Sequence, residues 1–374
     1  MVNGRRANTR PNPVSFRVVR KTIPLRIGFL PVNDCAPLLV AQEFGFFKKY
    51  GLAVSLKRES SWRPLHDQLF YKELEAAHVP AAFPFLANLG VTPARWPCVT
   101  GLVLSLQGNA ITLSRELWDS GVRDAASLAQ RLARDRGKRS YAFAVDLPFS
   151  SEYFLLCQWL RSAGLAPLSQ VRILKVPPAE MFPMLKLGYI DGFCCGEPWT
   201  SLVVQAGAGV CAATSASLAP LHPEKVLAVR EEFSRRRADE HHRLIAALLE
   251  ACAFCDQPEN RPEVCELLAK RQYLDVPLEC IQAGLMGSVT PDHSPLNSLH
   301  GLNIFHRHRA NDPSPARAAW LTGHLHRYFR WRKRPVWLDH VFRHDLFAAG
   351  QKLFRVSAQQ SGNENALSQS CEFF

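Results

Sequence analysis

Residues 25–52, LRIGFLPVNDCAPLLVAQEFGFFKKYGL, read as a strand followed by a helix. Leu25-Arg26-Ile27-Gly28-Phe29-Leu30 is a short apolar run of the kind that lies buried in a sheet. Asp34 is a good N-cap for the helix that follows, and Pro37 falls in its first turn, where a missing N–H costs nothing. Leu38, Leu39, Ala41, Phe44 and Phe46 carry the helix to a stop at Tyr50-Gly51.

The same alternation repeats outward from this stretch. Strands are expected at 53–56, 76–79 and 102–106, with helices at 64–72 and 84–89, the last closed by Gly90. A second unit follows, with helices at 127–136, 150–163, 180–187 and 199–205 and strands at 141–145, 171–176 and 192–195. Residues 226–230 read as a strand going back to the first unit. Beyond them the pattern is helical, at 233–255, 261–270 and 277–284 and in a basic aromatic helix at 316–331. Strands alternating with helices predict an α/β protein with mostly parallel sheets. Two such units, with the chain crossing between them more than once, predict a ligand cleft at their facing strand ends. The expected organisation is a basic flexible segment at 1–22, a first lobe at 23–106 and a second at 107–208. A return to the first lobe with C-terminal helices at 209–345 and a partly disordered tail at 346–374 complete it.

Composition bounds the function. With 374 residues, 47% hydrophobic and 21% charged, the chain is long and apolar enough for a large core, which excludes general disorder. Every apolar run is interrupted before it reaches the roughly 20 residues a membrane span needs. The opening segment carries Arg5 and Arg6 with no apolar stretch behind them, so no export signal is read and a cytoplasmic location is expected. Eleven cysteines without a regular framework fit reduced, buried thiols. The net charge of +12 sits at the ends: residues 1–26 hold seven basic and no acidic residues, and residues 305–343 hold nine basic and two acidic. The body between them is close to neutral and is no nucleic-acid platform.

Several separate segments, in order, carry a resemblance. LRIGFLPVNDCAPLLVAQEFGFFKKYGL, Ser61-Trp62, AHVPAAFP, GNAITLS at 108–114, GFCCGEPW at 192–199 and HPEK at 222–225 together resemble the nitrate- and bicarbonate-binding proteins of ABC-type uptake systems. The resemblance runs from about Leu25 to about Trp320 and implies the two-lobed periplasmic-binding-protein-like fold of type II, with a helical C-terminal region. A soluble branch of that family senses nitrate or nitrite in the cytoplasm and acts on an RNA-binding antiterminator. Without an export signal, the expected function is such a sensor in nitrogen assimilation. The substrate-binding component of an ABC-type nitrate, bicarbonate or sulfonate transporter is the first alternative, and a thiamin-pyrimidine-type enzyme of the same fold the second. No catalysis, cofactor or metal is expected.

The residues admit both an ordinary and a functional reading. The helix opened by Asp34 and Cys35 is either simply capped or presents free N–H groups to an anion. Trp62, expected on a loop, is either core or a flat face with one donor for a planar anion, and the resemblance makes it a ligand contact. Asn109 lies in a turn where the chain changes lobes, and its amide can donate to an oxyanion. Lys225 supplies the compact charge a buried anion requires, where an ordinary lysine is solvated. Glu197 either caps the next helix or points into the cleft, where it repels an anion unless paired with Lys225, protonated or bridged by a cation. Glu152 stands where the resemblance implies a nitrate-touching histidine, which favours a protonated or less charged ligand if its side chain faces inward. Cys252 and Cys255 make a lone CxxC on a continuous helix without a second pair, so no zinc site is expected there, and His300, His306, His308, His324 and His326 lack metal-site spacing, so solvated loop and helix positions are expected for these histidines.

Overall fold

The computed structural model describes residues 24–91, 94–287 and 303–360. Its strands are β1 (Leu25–Phe29), β2 (Val54–Arg58), β3 (Ala76–Pro80), β4 (Cys98–Gln107), β5 (Asn109–Ser114) and β6 (Ala142–Val145), then β7 (Arg172–Lys175), β8 (Gly192–Gly196), β9 (Gly209–Thr214), β10 (Pro223–Arg230) and β11 (Asn303–Ile304). They form two sheets, one ordered β11-β4-β10-β3-β1-β2 and the other β7-β6-β8-β5-β9. Helices separate the strands along the chain, as the alternation of apolar runs requires.

The expectation of mostly parallel sheets needs correction. Among the described strands only β3-β1-β2 and β7-β6-β8 are parallel; β10 runs antiparallel to β3 and β4, β11 to β4, and β5 to β8 and β9. The reason is topological. The crossing strands β5 and β10 each enter a sheet from the other lobe, against the direction of its crossover-linked strands.

The first crossing is abrupt, because one residue, Gly108, separates β4 from β5. Gln107 and Gly108 have φ of 61° and 97°, and a Cβ on Gly108 would lie 2.0 Å from Nδ2 of Asn303. Only glycine tolerates both the backbone angle and the approach. Gly108→Ala is therefore expected to cost about 1–3 kcal/mol from backbone strain alone, read as a lower urea midpoint. The second crossing runs from Thr214 to His222, so the second sheet includes residues 209–214 and the return to the first begins at Pro223.

The C-terminal region departs further from expectation. Residues His344–Gln360 form a helix, not a tail, and bury Leu346, Phe347, Gly350, Phe354 and Ala358. It packs on the long helix Ala238–Asp256 and on β4. The expected segment 1–22, His300 and the last residues, 361–374, lie outside the described residues. No helix among the described residues is long and apolar enough to cross a membrane.

Candidate functional site

The facing ends of the two sheets bring buried charge together. Lys225, on β10, is fully buried, with Nζ 2.6 Å from Oε1 of Glu224 and 3.1 Å from Oδ2 of Asp34. Neighbouring residues on a regular strand point to opposite faces. Here β10 changes register against β4 on both sides of Lys225, and this irregularity lets Glu224 and Lys225 converge. Asp34 does not cap its helix as expected; it lies in a short 3-10 turn, Asn33–Cys35, with Oδ1 2.9 Å from Nε2 of His78 on β3.

Glu224 is the hub of the cluster. Its Oε2 accepts from Nδ2 of Asn109 at 2.5 Å and lies 3.2 Å from Nε2 of His222, whose Nδ1 is 2.8 Å from the carbonyl of Ala219. Burial works against the Glu224 charge, but Lys225 and His222 outweigh it and hold the carboxyl down to about 2. Burial likewise opposes the Lys225 charge, and Asp34, Glu224 and Glu152 outweigh it, so the ammonium is held well above the ordinary lysine range. The amide of Asn109 is thus committed to Glu224, and the charge of Lys225 already has two carboxylate partners.

The second lobe adds more acid. Glu152, in the first turn of the Ser151–Ser162 helix, is buried and faces Lys225, Asp146 and Glu224. Burial raises its carboxyl well above the usual range; Lys225 opposes this, while Asp146 and Glu224 add to it. Asp146, which follows β6, is pushed up to about 7, chiefly by burial, against the attraction of Lys225 and Lys175. Cys195, on β8, borders the same group: burial first, then Glu152 and Asp146, hold its thiol well above the usual range.

Trp62 closes the site from the first lobe. It does not lie on a loop but is the first residue of the Trp62–Phe70 helix, with its ring centroid 5.8 Å from Nζ of Lys225 and 6.4 Å from the His78 ring. Its indole N–H faces Asp146, yet neither that N–H nor either Asp146 oxygen has a partner of proper hydrogen-bond geometry. Oε2 of Glu152, Oδ1 of Asn109 and Oγ of Ser105, the β4 neighbour of Lys225, are also buried without partners. Unpaired buried polar atoms are costly, so these donors and acceptors, gathered from both lobes, make the cluster the candidate site.

Two of the sequence candidates are not brought to this cluster. Glu197 accepts from the backbone N–H of Ser201 at 3.0 Å, and its own carbonyl accepts from the N–H of Asn33 at 2.7 Å, so it caps its helix and joins the lobes beside the site. Burial pushes its carboxyl up to about 7, with the Ser201 bonds opposing, and no charge of the cluster acts on it. The Cys35 thiol is fully buried and acts on Cys255 and Tyr273, on the helical side of the lobe. Asp146, His78, Glu224 and His222 belong to the cluster without having been singled out from sequence. Two of the histidines expected to be solvated are not, since His306 is buried and pairs with Asn311 at 2.8 Å and His324 is buried against Phe154, whereas His308 and His326 are exposed. Among the described residues no group of His, Cys, Asp or Glu is arranged to hold a metal ion.

Comparisons with known proteins agree with this architecture. A profile of the NMT1-like family matches residues 20–269. The chain is 37% identical over 333 residues to the nitrate import ATP-binding protein NrtC of Synechocystis sp. PCC 6803, covering 87% of this chain and 49% of NrtC. It is 38% identical over 309 residues to the bicarbonate transport ATP-binding protein CmpC of the same organism, covering 82% of this chain and 46% of CmpC. It thus spans about half the length of these relatives. The crystal structure of the periplasmic nitrate-binding protein NrtA from Synechocystis PCC 6803 superposes with a TM-score of 0.82 at 27% identity, over 91% of each chain. That likeness overturns the expected cytoplasmic location, since the matching protein works in the periplasm.

Proposed function

We propose, from the premise that this chain belongs to the NMT1-like family, that it is the solute-binding part of an ABC-type uptake system and closes its lobes on one small planar oxyanion. The observation that carries this reading is Lys225, a fully buried ammonium at the lobe junction, ringed by unpartnered polar atoms of both lobes. The solved likeness to a nitrate-binding protein supports binding over catalysis. Relatives named for nitrate import and bicarbonate transport support a transport role over a sensor acting through an antiterminator.

The chemistry of the cluster discriminates between anions. Asp34 and Glu224 outnumber Lys225, and Asp146 and Glu152 add two more carboxyls. A bare acceptor such as nitrate therefore enters only beside carboxyl groups that carry protons. Bicarbonate has acceptors for the indole N–H and the ammonium and an O–H to donate to a carboxylate, so it fits the unpartnered set better.

Calorimetric titration with bicarbonate, nitrate, nitrite and an alkanesulfonate at pH 8 tests this. Bicarbonate is expected to bind with one site per chain and more tightly than nitrate. No heat and no thermal shift with any of the four at millimolar concentration sinks the proposal.

A further inference from the structure

The helix Pro315–Phe329 leaves the first lobe and comes back to it. Before the helix, Nδ2 of Asn311 donates to the carbonyl of Val103 at 2.9 Å, and the N–H of Val103 donates to the carbonyl of Asn311 at 3.1 Å. After it, the N–H of Thr100 donates to Val341 at 2.9 Å and the N–H of Arg343 to Thr100 at 2.8 Å. Both ends of the segment 313–340 are therefore fixed to β4.

Between these anchors the segment rests on the other lobe. Trp320, His324 and Tyr328 are spaced four residues apart and share one helix face. That face meets the Ser151–Ser162 helix: the Phe154 ring is 4.7 Å from His324 and 6.2 Å from both Trp320 and Tyr328. Tyr153 and Phe149 lie 5.4 and 5.3 Å from Tyr328, Phe149 is 5.4 Å from Phe329, and Nη2 of Arg161 donates to the Tyr328 hydroxyl at 3.2 Å. The gripped helix is the one whose first turn holds Glu152. At the other end of the seam the Trp320 ring is 5.2 Å from His222, which contacts Glu224.

We propose that residues 313–340 form a latch that holds the lobes closed over the site, with Trp320 and Tyr328 as its positioning residues. Lys225 is fully buried, so a solute reaches it only if the lobes part around the crossings at 107–108 and 214–222. Parting moves the Ser151–Ser162 helix away from β4 and must break the aromatic seam. The strength of the seam therefore sets how often the site opens, and the Trp320 contact links the latch to the Glu224 hub.

Native-state hydrogen exchange on the full chain tests the latch without any solute. In a Trp320→Ala/Tyr328→Ala variant, amides of residues 150–156 and 222–227 are expected to exchange about tenfold faster or more, while those of β1 and β2 keep the wild-type rate. A Trp320→Phe/Tyr328→Phe variant, which keeps the rings, should stay near wild type. Unchanged exchange at the cleft in the alanine variant overturns the latch, as does equal acceleration in β1 and β2, which would make the seam plain core packing. The latch rests on the binding proposal only for its purpose. With bicarbonate or nitrate as probe, a faster dissociation rate at unchanged stoichiometry supports it further. A cleft-specific exchange effect in a protein that binds neither anion leaves the latch standing and removes the binding proposal alone.

Discussion

Replacing Lys225 with methionine is expected to abolish anion binding and to cost about 3–5 kcal/mol of stability, because it strands buried carboxylates beside one another. Asp34 and Glu224 lie 3.1 and 2.6 Å from the ammonium and would lose their shared counter-charge. The sign of the pH effect follows from Glu224. Its carboxyl is held down to about 2 in the folded protein against an ordinary 4.5, so its contribution to stability is complete above the ordinary value and is lost as pH falls toward 2. Without Lys225 that contribution disappears, and the variant should lose most relative to wild type at neutral and alkaline pH. Urea unfolding of both proteins at pH 3 and pH 7 checks it; an equal loss at both values would mean that the ammonium does not hold Glu224 ionised.

The second large effect concerns Asp146 and Glu152. Burial raises both carboxyls, and Asp146, pushed up to about 7, titrates near neutrality. The charges that face this pair are Lys225 and Glu224 from the first lobe and Lys175 from the second. An anion without a proton of its own is repelled once Asp146 ionises, so nitrate affinity should rise about tenfold from pH 8 to pH 6 if one proton is linked. The variant Asp146→Asn/Glu152→Gln should remove that dependence and bind nitrate more tightly at pH 8. An unchanged ratio of affinities across pH in wild type would mean that neither carboxyl faces the bound anion.

Much of the fold was legible because its buried strands are short apolar runs cut by helices of the right period. The β1 run and the Trp199–Gln205 helix fall where the sequence places them. The crossing strand β5 hides behind Gly108-Asn109, a dipeptide that reads as a turn, and the turn and the strand are in fact adjacent. The His344–Gln360 helix has its apolar side at Leu346, Phe347, Gly350, Phe354 and Ala358, a helical spacing that its polar neighbours and its place near the chain end obscure.

Legibility of the site has a different limit. Lys225, Trp62, Asn109, Asp34 and Glu152 come together, and each belongs to a quoted segment or to the first turn of a helix. Glu224 sits beside Lys225 in the same HPEK segment, but alternation along a strand assigns it to the opposite face, and a register irregularity cannot be read from residue types. His78 lies in an otherwise apolar strand, where a core histidine is the ordinary reading, and its meeting with Asp34 is a product of tertiary structure. Asp146 follows the strand Ala142–Val145 at the end that faces the cleft, so its position after a buried strand was the one available signal.

A crystal structure of the protein grown with bicarbonate, refined beside one grown with chloride alone, decides whether the cleft between Trp62 and Lys225 holds the anion. A planar anion is expected between the Trp62 indole and the Lys225 ammonium, with its hydroxyl toward Asp146 or Glu152 and the lobes closed around it. A bicarbonate bound elsewhere, with the space between Trp62, Lys225 and Asp146 the same in both crystals, would contradict it.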